Sequence, residues 1–326
     1  MGILPALVLI ASLTGQDAFP YLSFGVGARE LAMGGAAVAS CKSAAASYWN
    51  PAGLCLVTKG SVLGHFAPQP LGGYPADGDM KAFVAWAQPV RSWAAVGLAV
   101  DEFRLGGIEC RVGETKNPID IIDYHETTLS LCGALNALPG LRVGAGPVLY
   151  LQRFGGDSLK LYPSMWSLGA GGMFGVHYTP ARGWQVGLAA RLPAPISWIN
   201  ANNSHNSDRV SPKTTLGIAW KVRRGLVVET DLTARSNRPW VLNVGCEYKH
   251  HFAVLNPDSP KPLLSAAVRC GFKDIPVYCD KIDQSAKLTA GAGIESGGTG
   301  FRIGLDYVVI GLFGGLYHAL GVNISY

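Results

Sequence analysis

The seven cysteines, at positions 41, 55, 110, 132, 246, 270 and 279, are the first side chains to test for chemistry, as metal ligands, redox dithiols or disulfide partners. No two are spaced CxxC, which argues against a zinc ribbon or a thioredoxin-type dithiol. Cys132, Cys246 and Cys270 fall inside apolar alternating segments, where a cysteine acts as a small hydrophobe. The pairs left for a disulfide in an oxidising compartment are Cys41 with Cys55 and Cys270 with Cys279. The seven histidines are scattered, and only His250 and His251 adjoin. The chain has no HExxH helix, no GxSxG elbow and no paired-carboxylate motif, so no catalytic residue, metal site or cofactor is expected. Gly25-Val26-Gly27 would need a strand before it and a βαβ unit around it to cradle a dinucleotide, and the pattern supplies neither.

The remaining chemistry is charge carried on one face of alternating segments. Arg191, Lys221, Arg235, Lys249, Arg269 and Arg302 share that face with Glu229, Asp231, Glu247, Glu295 and Asp306. Near-cancellation of the two signs suits a salt-bridged inner wall or a polar solute path, whereas a selective ion pore would show one dominant sign. The net charge of the chain, +5, is likewise spread out. A nucleic-acid partner would need a basic stripe, so none is expected.

The elements that must position these charges are strands, because beyond about residue 58 the hydrophobic period is two. Trp184, Val186, Leu188, Ala190 and Leu192 lie on one face, with Gln185, Gly187, Ala189 and Arg191 on the other. The pattern predicts fourteen strands, at 60–67, 81–89, 92–101, 126–136, 140–152, 166–178, 183–193, 212–222, 225–235, 240–250, 262–272, 286–296, 299–309 and 316–326. An even number of strands about ten residues long is what a closed transmembrane antiparallel β-barrel requires. Long polar links at 68–80, 102–125, 153–165, 194–211 and 273–285 mostly alternate with short ones. The long segment 251–261 and the short one 236–239 fall out of turn. Seven of the eight Trp (86, 93, 166, 184, 198, 220 and 240) stand at or beside predicted strand ends, as interfacial girdles do.

Composition agrees with this reading. Gly accounts for 42 of 326 residues, hydrophobic residues for 48% and charged ones for only 15%, too little charge to solvate an ordinary globular surface. No apolar run reaches the roughly 18 residues of a spanning helix. Ile3–Leu13 has the length of a signal-peptide core, although no Lys or Arg precedes it. The predicted organisation is therefore a signal segment at 1–18, a hatch at 19–57 and an all-β barrel at 58–326.

The segment Gly25–Leu54, GVGARELAMGGAAVASCKSAAASYWNPAGL, resembles the N-terminal signature of the PorV family and, more distantly, of the FadL long-chain fatty-acid transporters. The resemblance continues weakly through 166–178, Leu192–Pro195 and the last hairpins. It implies a barrel in the bacterial outer membrane plugged by a small hatch built on Gly27, Arg29, Gly34, Gly35, Asn50, Pro51, Ala52 and Gly53. Read as residues, the glycines permit tight turns against a wall, and Asn50-Pro51 is a turn former. One departure is that the relatives carry an acidic pair where this chain has Cys41-Lys42-Ser43, so the seating of the hatch by that pair is in question. The resemblance implies a passive conduit for small hydrophobic or amphipathic solutes. The alternatives are a PorV-like adaptor that handles secreted cargo proteins in type IX secretion, through links 102–125 and 194–211, and a structural barrel. The expected partners are the lipid bilayer, the barrel-assembly machinery through the C-terminal strand, and a hydrophobic ligand or cargo protein.

Overall fold

The computed structural model describes residues 18–68, 79–110, 120–155, 165–199, 207–236, 238–252, 264–277, 286–298, 300–312 and 315–326. Apart from Ala18, the predicted signal segment lies outside the described residues. Sixteen strand segments follow one another: β1 (Ser61–Pro68), β2 (Met80–Arg91), β3 (Ala94–Cys110), β4 (Asp120–Leu138), β5 (Leu141–Gly155), β6 (Met165–Tyr178), β7 (Trp184–Arg191), β8 (Ala194–Ile199), β9 (Ser207–Val210), β10 (Lys213–Arg223), β11 (Leu226–Arg235), β12 (Arg238–Phe252), β13 (Leu264–Pro276), β14 (Lys287–Gly297), β15 (Arg302–Leu312) and β16 (Gly315–Ser325). All pairings are antiparallel, and the β1–β16 and β5–β6 pairings close the sheet on itself. The result is the closed fourteen-strand barrel that the alternation predicts. The extra segments arise because β7–β8 and β9–β10 are each one strand interrupted, at Leu192-Pro193 and at Ser211-Pro212. Proline cannot donate to the ladder, so the strand breaks there.

Two predicted loops prove to be largely strand. Residues 102–110 and 120–125 extend the β3–β4 hairpin, with Phe103 opposite Glu126 and Leu105 opposite Tyr124. Their polarity reads as loop in the sequence, but the polar groups satisfy one another across the strands: Arg104 pairs with Asp123 at 2.7 Å and His125 with Glu102 at 3.0 Å. In link 194–211, Ala194 to Ser197 pair with Val210 to Ser207, and Trp198 donates to Asp208 at 2.7 Å. The two links that fell out of turn do not mark a miscount, since β11 ends at Arg235, β12 spans Arg238–Phe252 and β13 starts at Leu264.

Side chains sort by face as the period demands. Val84, Leu98, Leu131, Val268, Leu305 and Leu320 are exposed on the outer wall, a continuous apolar surface suited to hydrocarbon rather than water. Trp184 and Trp220 stack at 5.3 Å at the short-turn end, and Trp86 donates to the Tyr326 hydroxyl at 3.0 Å. No described helix is long and apolar enough to span a membrane, which says nothing about a barrel. Residues 18–59 fill the lumen. The Ala18 amide bonds to Arg209 O at 2.9 Å at the long-link end, and the segment leaves at Gly60, where the Tyr326 amide bonds to Gly60 O at 2.9 Å at the short-turn end. Val26, Leu31, Ala37 and Leu54, all fully enclosed, pack it against the wall.

Candidate functional site: a seated hatch between two cavities

The hatch is held mainly through its backbone. Its two α-helices, Ala28–Ala32 and Ala46–Trp49, are too short to satisfy their own amides, so wall side chains complete the bonding. Asp231 Oδ2 accepts from the amides of Ala37 and Val38 at 2.8 and 3.0 Å, and Glu229 Oε1 accepts from Ala39 and Ser40 at 2.7 and 3.1 Å. Four consecutive N–H groups thus form an anion-binding nest around two buried wall carboxylates. Thr289 Oγ1 accepts from the Gly34 amide at 3.0 Å and donates to Ala32 O at 2.9 Å. His177 Nε2 lies 3.0 Å from Ala39 O, and Lys273 Nζ donates to Ser23 O at 2.9 Å.

The sequence-predicted hatch residues all lie in the segment that occupies the lumen. Gly27 precedes the first helix at φ 82°, with the Glu30 carboxylate folded against it. Arg29 grips Glu247 with two bonds, Nε to Oε2 at 2.9 Å and Nη2 to Oε1 at 3.0 Å. Gly34, at φ 69°, approaches the wall so closely that a Cβ there would sit 2.5 Å from Phe272 O, and Gly35 completes the turn. Asn50 is fully enclosed: its Nδ2 donates to Val38 O at 2.9 Å and to Val176 O on β6 at 3.0 Å, while its Oδ1 caps the Ala52 amide at 3.1 Å. Pro51 opens the turn Pro51–Leu56, and Gly53 packs under the Cys41 carbonyl. Burial raises the Glu30 carboxyl above its ordinary range, against the opposing effect of Arg29, and burial likewise raises the Cys41 thiol.

The expectation that the lumen charges pair with one another holds for part of the set. Arg269 joins Glu247 at 2.7 Å and Asp306 at 2.6 Å, and Glu295 holds both Lys249 at 2.5 Å and Arg302 at 2.9 Å. Glu229 and Asp231 depart from it, because the hatch amides rather than wall cations are their bonding partners. Lys221 stands exposed at the short-turn end. Arg191 and Arg235 belong to a different cluster. Cross-strand register places both directly opposite Lys213, so Arg191, Lys213 and Arg235 form one row across β7, β10 and β11. The Arg191 guanidinium lies 5.1 Å over the Tyr48 ring and Lys213 Nζ 5.7 Å from the Trp49 ring. Lys213 is absent from the sequence-based set, although the tight turn at Arg223-Arg224-Gly225 is the signal that puts it opposite Arg235. A second group missed from sequence is the buried Lys81–Asp101 pair at 2.7 Å.

These side chains line two cavities on opposite sides of the hatch. At the long-link end, a small pocket of about 40 Å³ joins the row Arg191, Lys213 and Arg235 to Phe19, Leu22 and Val210. At the short-turn end, a chamber of about 590 Å³ is walled by Arg29, Lys42, Lys249, Arg269, Arg302 and the acids that pair with them. Between them the hatch closes the lumen. Beside the small pocket β6 pairs with β7 over 173–178 and with β8 over 166–169, and between the two stretches the Leu192 amide bonds to Gly172 O at 2.8 Å before Pro193. Among the described residues, no cluster of three or more metal-ligating side chains occurs.

Of the two candidate disulfides, Cys41–Cys55 is not formed, and Cys270–Cys279 has one partner outside the described residues. Cys41, Cys55 and Cys270 are free thiols. Cys41 is buried in the hatch against Ser43 and Glu30, with Cys55 only half-buried.

No protein-family model and no curated protein matches the chain. Solved structures do. The Ralstonia pickettii toluene transporter TbuX is similar with a TM-score of 0.60 at 15% identity, over 94% of this chain and 98% of that one. The Pseudomonas putida toluene transporter TodX gives 0.57 at 14%, over 96% and 98%. A Pseudomonas aeruginosa FadL homologue gives 0.58 at 11%, over 97% and 99%. At such identities the likeness concerns architecture, and the chain has the hatch-plugged barrel fold of the FadL and TodX channels.

Proposed function

We propose that the protein is a passive conduit of the bacterial outer membrane for small hydrophobic or amphipathic solutes, with preference for an anionic head on an apolar body. The observation that carries this reading is the pocket at the long-link end, where three cations in cross-strand register face Phe19, Leu22 and Val210. At about 40 Å³ the pocket takes the head and first methylenes of such a solute: the head gains from the cations, and the adjoining carbons from burial against the aromatic and aliphatic lining. Onward passage proceeds past the hatch into the chamber. The fold shared with toluene transporters and a FadL homologue supports the same reading. In this reading the export signal lies upstream of the folded hatch, and the terminal β16 strand is what the assembly machinery engages.

The test is saturable binding and liposome flux of a medium-chain alkyl carboxylate against a neutral aromatic hydrocarbon. Arg191→Ala and Lys213→Ala should each weaken the carboxylate about tenfold, the loss of one charge-assisted contact, and leave the hydrocarbon unchanged. Absence of both flux and saturable binding would overturn the conduit. Recovery of a secreted cargo protein by crosslinking, with no solute movement, would favour the PorV-like adaptor instead.

A further inference from the structure

Cys246 and Cys270 read as small hydrophobes in the sequence, yet register places them directly opposite one another on β12 and β13. Directly opposed antiparallel residues have Cα atoms roughly 4.5–5.5 Å apart, inside the roughly 4.4–6.8 Å that a disulfide spans. Both side chains point to the outer face, since their neighbours Gly245, Glu247, Arg269 and Gly271 point into the lumen and are buried. The cysteines stand in an apolar setting, with Val244 and Phe272 as the next outward pair on one side and Tyr248 and Val268 on the other.

The inner face at the same level is where the hatch rests. Methyl groups at Gly245 and Gly271 would collide with the Met33–Gly34 turn, and Glu247 and Arg269 form the ion pair that Arg29 grips. The register of β12 on β13 also slips by one residue between Leu242 and Val244. A one-residue slip carried further would turn these hatch contacts to the outer face. We propose that Cys246 and Cys270 are an oxidation site, forming a cross-strand disulfide that pins β12 to β13 behind the hatch. This rests on the reading that the chain is exported to an oxidising compartment.

The oxidant is a protein or small-molecule disulfide. One cysteine thiolate attacks it to give a mixed disulfide and release one thiol. The second cysteine then displaces the remaining sulfur, so the two cysteine thiols lose two electrons and two protons and the oxidant disulfide is reduced to two thiols.

The experiment uses the full chain, folded in detergent and treated with oxidised glutathione, followed by proteolysis and mass spectrometry, with Cys246→Ser as control. A Cys246–Cys270 linked peptide, reversed by reductant and absent in the control, supports the proposal. Oxidation should then shift the folded-to-unfolded ratio by up to about 350-fold, the loop-closure effect of an intervening segment of about 25 residues. It should also slow alkylation of Cys41 in the hatch, a change the control lacks. A heat-modifiable barrel that yields no such peptide, links Cys270 to Cys279 in preference, or shows the link with neither stability nor Cys41 labelling changed overturns it. Because the oxidation is done on purified protein, these outcomes are independent of export. Thiols that remain free in cell envelopes although the purified barrel oxidises would instead overturn the export reading.

Discussion

Replacing Glu229 by Ala should release the hatch without unfolding the barrel. The Glu229 carboxylate accepts the amides of Ala39 and Ser40, and no other acceptor for them is apparent in the described structure. A buried donor left unsatisfied costs about 1–3 kcal/mol, so two cost about 2–6 kcal/mol. An opposing effect comes from Asp231, two residues along on the same face and equally enclosed, because removing one of two neighbouring carboxylates relieves their repulsion. The low end is therefore the working figure: about 2 kcal/mol, or roughly a 30-fold rise in the undocked fraction. Glu229→Gln keeps a carbonyl acceptor and loses only the charge assistance, so its effect should be clearly smaller. Cys41 is a native reporter, since its thiol is 1% exposed when the hatch is seated. The assay is peptide-resolved maleimide labelling of Cys41 alongside single-channel conductance in planar bilayers, with heat-modifiable migration to show that the barrel persists. Unchanged Cys41 labelling and conductance in a folded Glu229→Ala barrel would refute the claim that the wall carboxylates seat the hatch.

Other contacts give sharper local tests. Gly34→Ala should cost about 2–4 kcal/mol, combining a left-handed backbone at φ 69° with a Cβ 2.5 Å from Phe272 O, whereas Gly133→Ala, with open space around it, should be silent in thermal unfolding. Asn50→Asp keeps the cap on Ala52 but replaces two donors with a charge facing the carbonyls of Val38 and Val176, so it should raise Cys41 labelling at least as much as Glu229→Ala. Glu30 has a raised carboxyl, so the docked hatch binds its proton more tightly than the released hatch does. Docking should then be strongest below the ordinary Glu range and weaken as pH rises through the raised folded value, and Glu30→Gln should flatten that dependence in pH-resolved labelling.

The barrel is legible in the sequence because each of its strands repeats the same alternation, so the signal is strong even where single boundaries drift. It fails where the chemistry of a strand imitates that of a loop. Glu102, Arg104, Asp123 and His125 are polar because they rise above the apolar band and bond one another across β3 and β4, and nothing local distinguishes that from a solvated link. Prolines had the opposite effect: Pro193 and Pro212 read as strand ends, whereas they interrupt two strands that resume beyond them.

The hatch makes the same point about sites. Its glycines and the Asn50-Pro51 turn were readable because they are demands of the backbone, which the residue itself must meet. The partners that seat it were not, since Glu229 and Asp231 alternate like any other lumen-facing acid, and only the path of the plug decides that they meet amides instead of arginines. That path also answers the missing acidic pair. Cys41-Lys42-Ser43 brings no carboxylate from the hatch, and the carboxylates come from β11, aimed at the four amides just before Cys41. The attachment is therefore a property of the plug backbone and the wall side chains together. If it is, substitutions at Ala37, Val38 and Ala39 that fit the space should leave Cys41 labelling unchanged, while replacements of the two β11 acids that remove the acceptor oxygen should raise it.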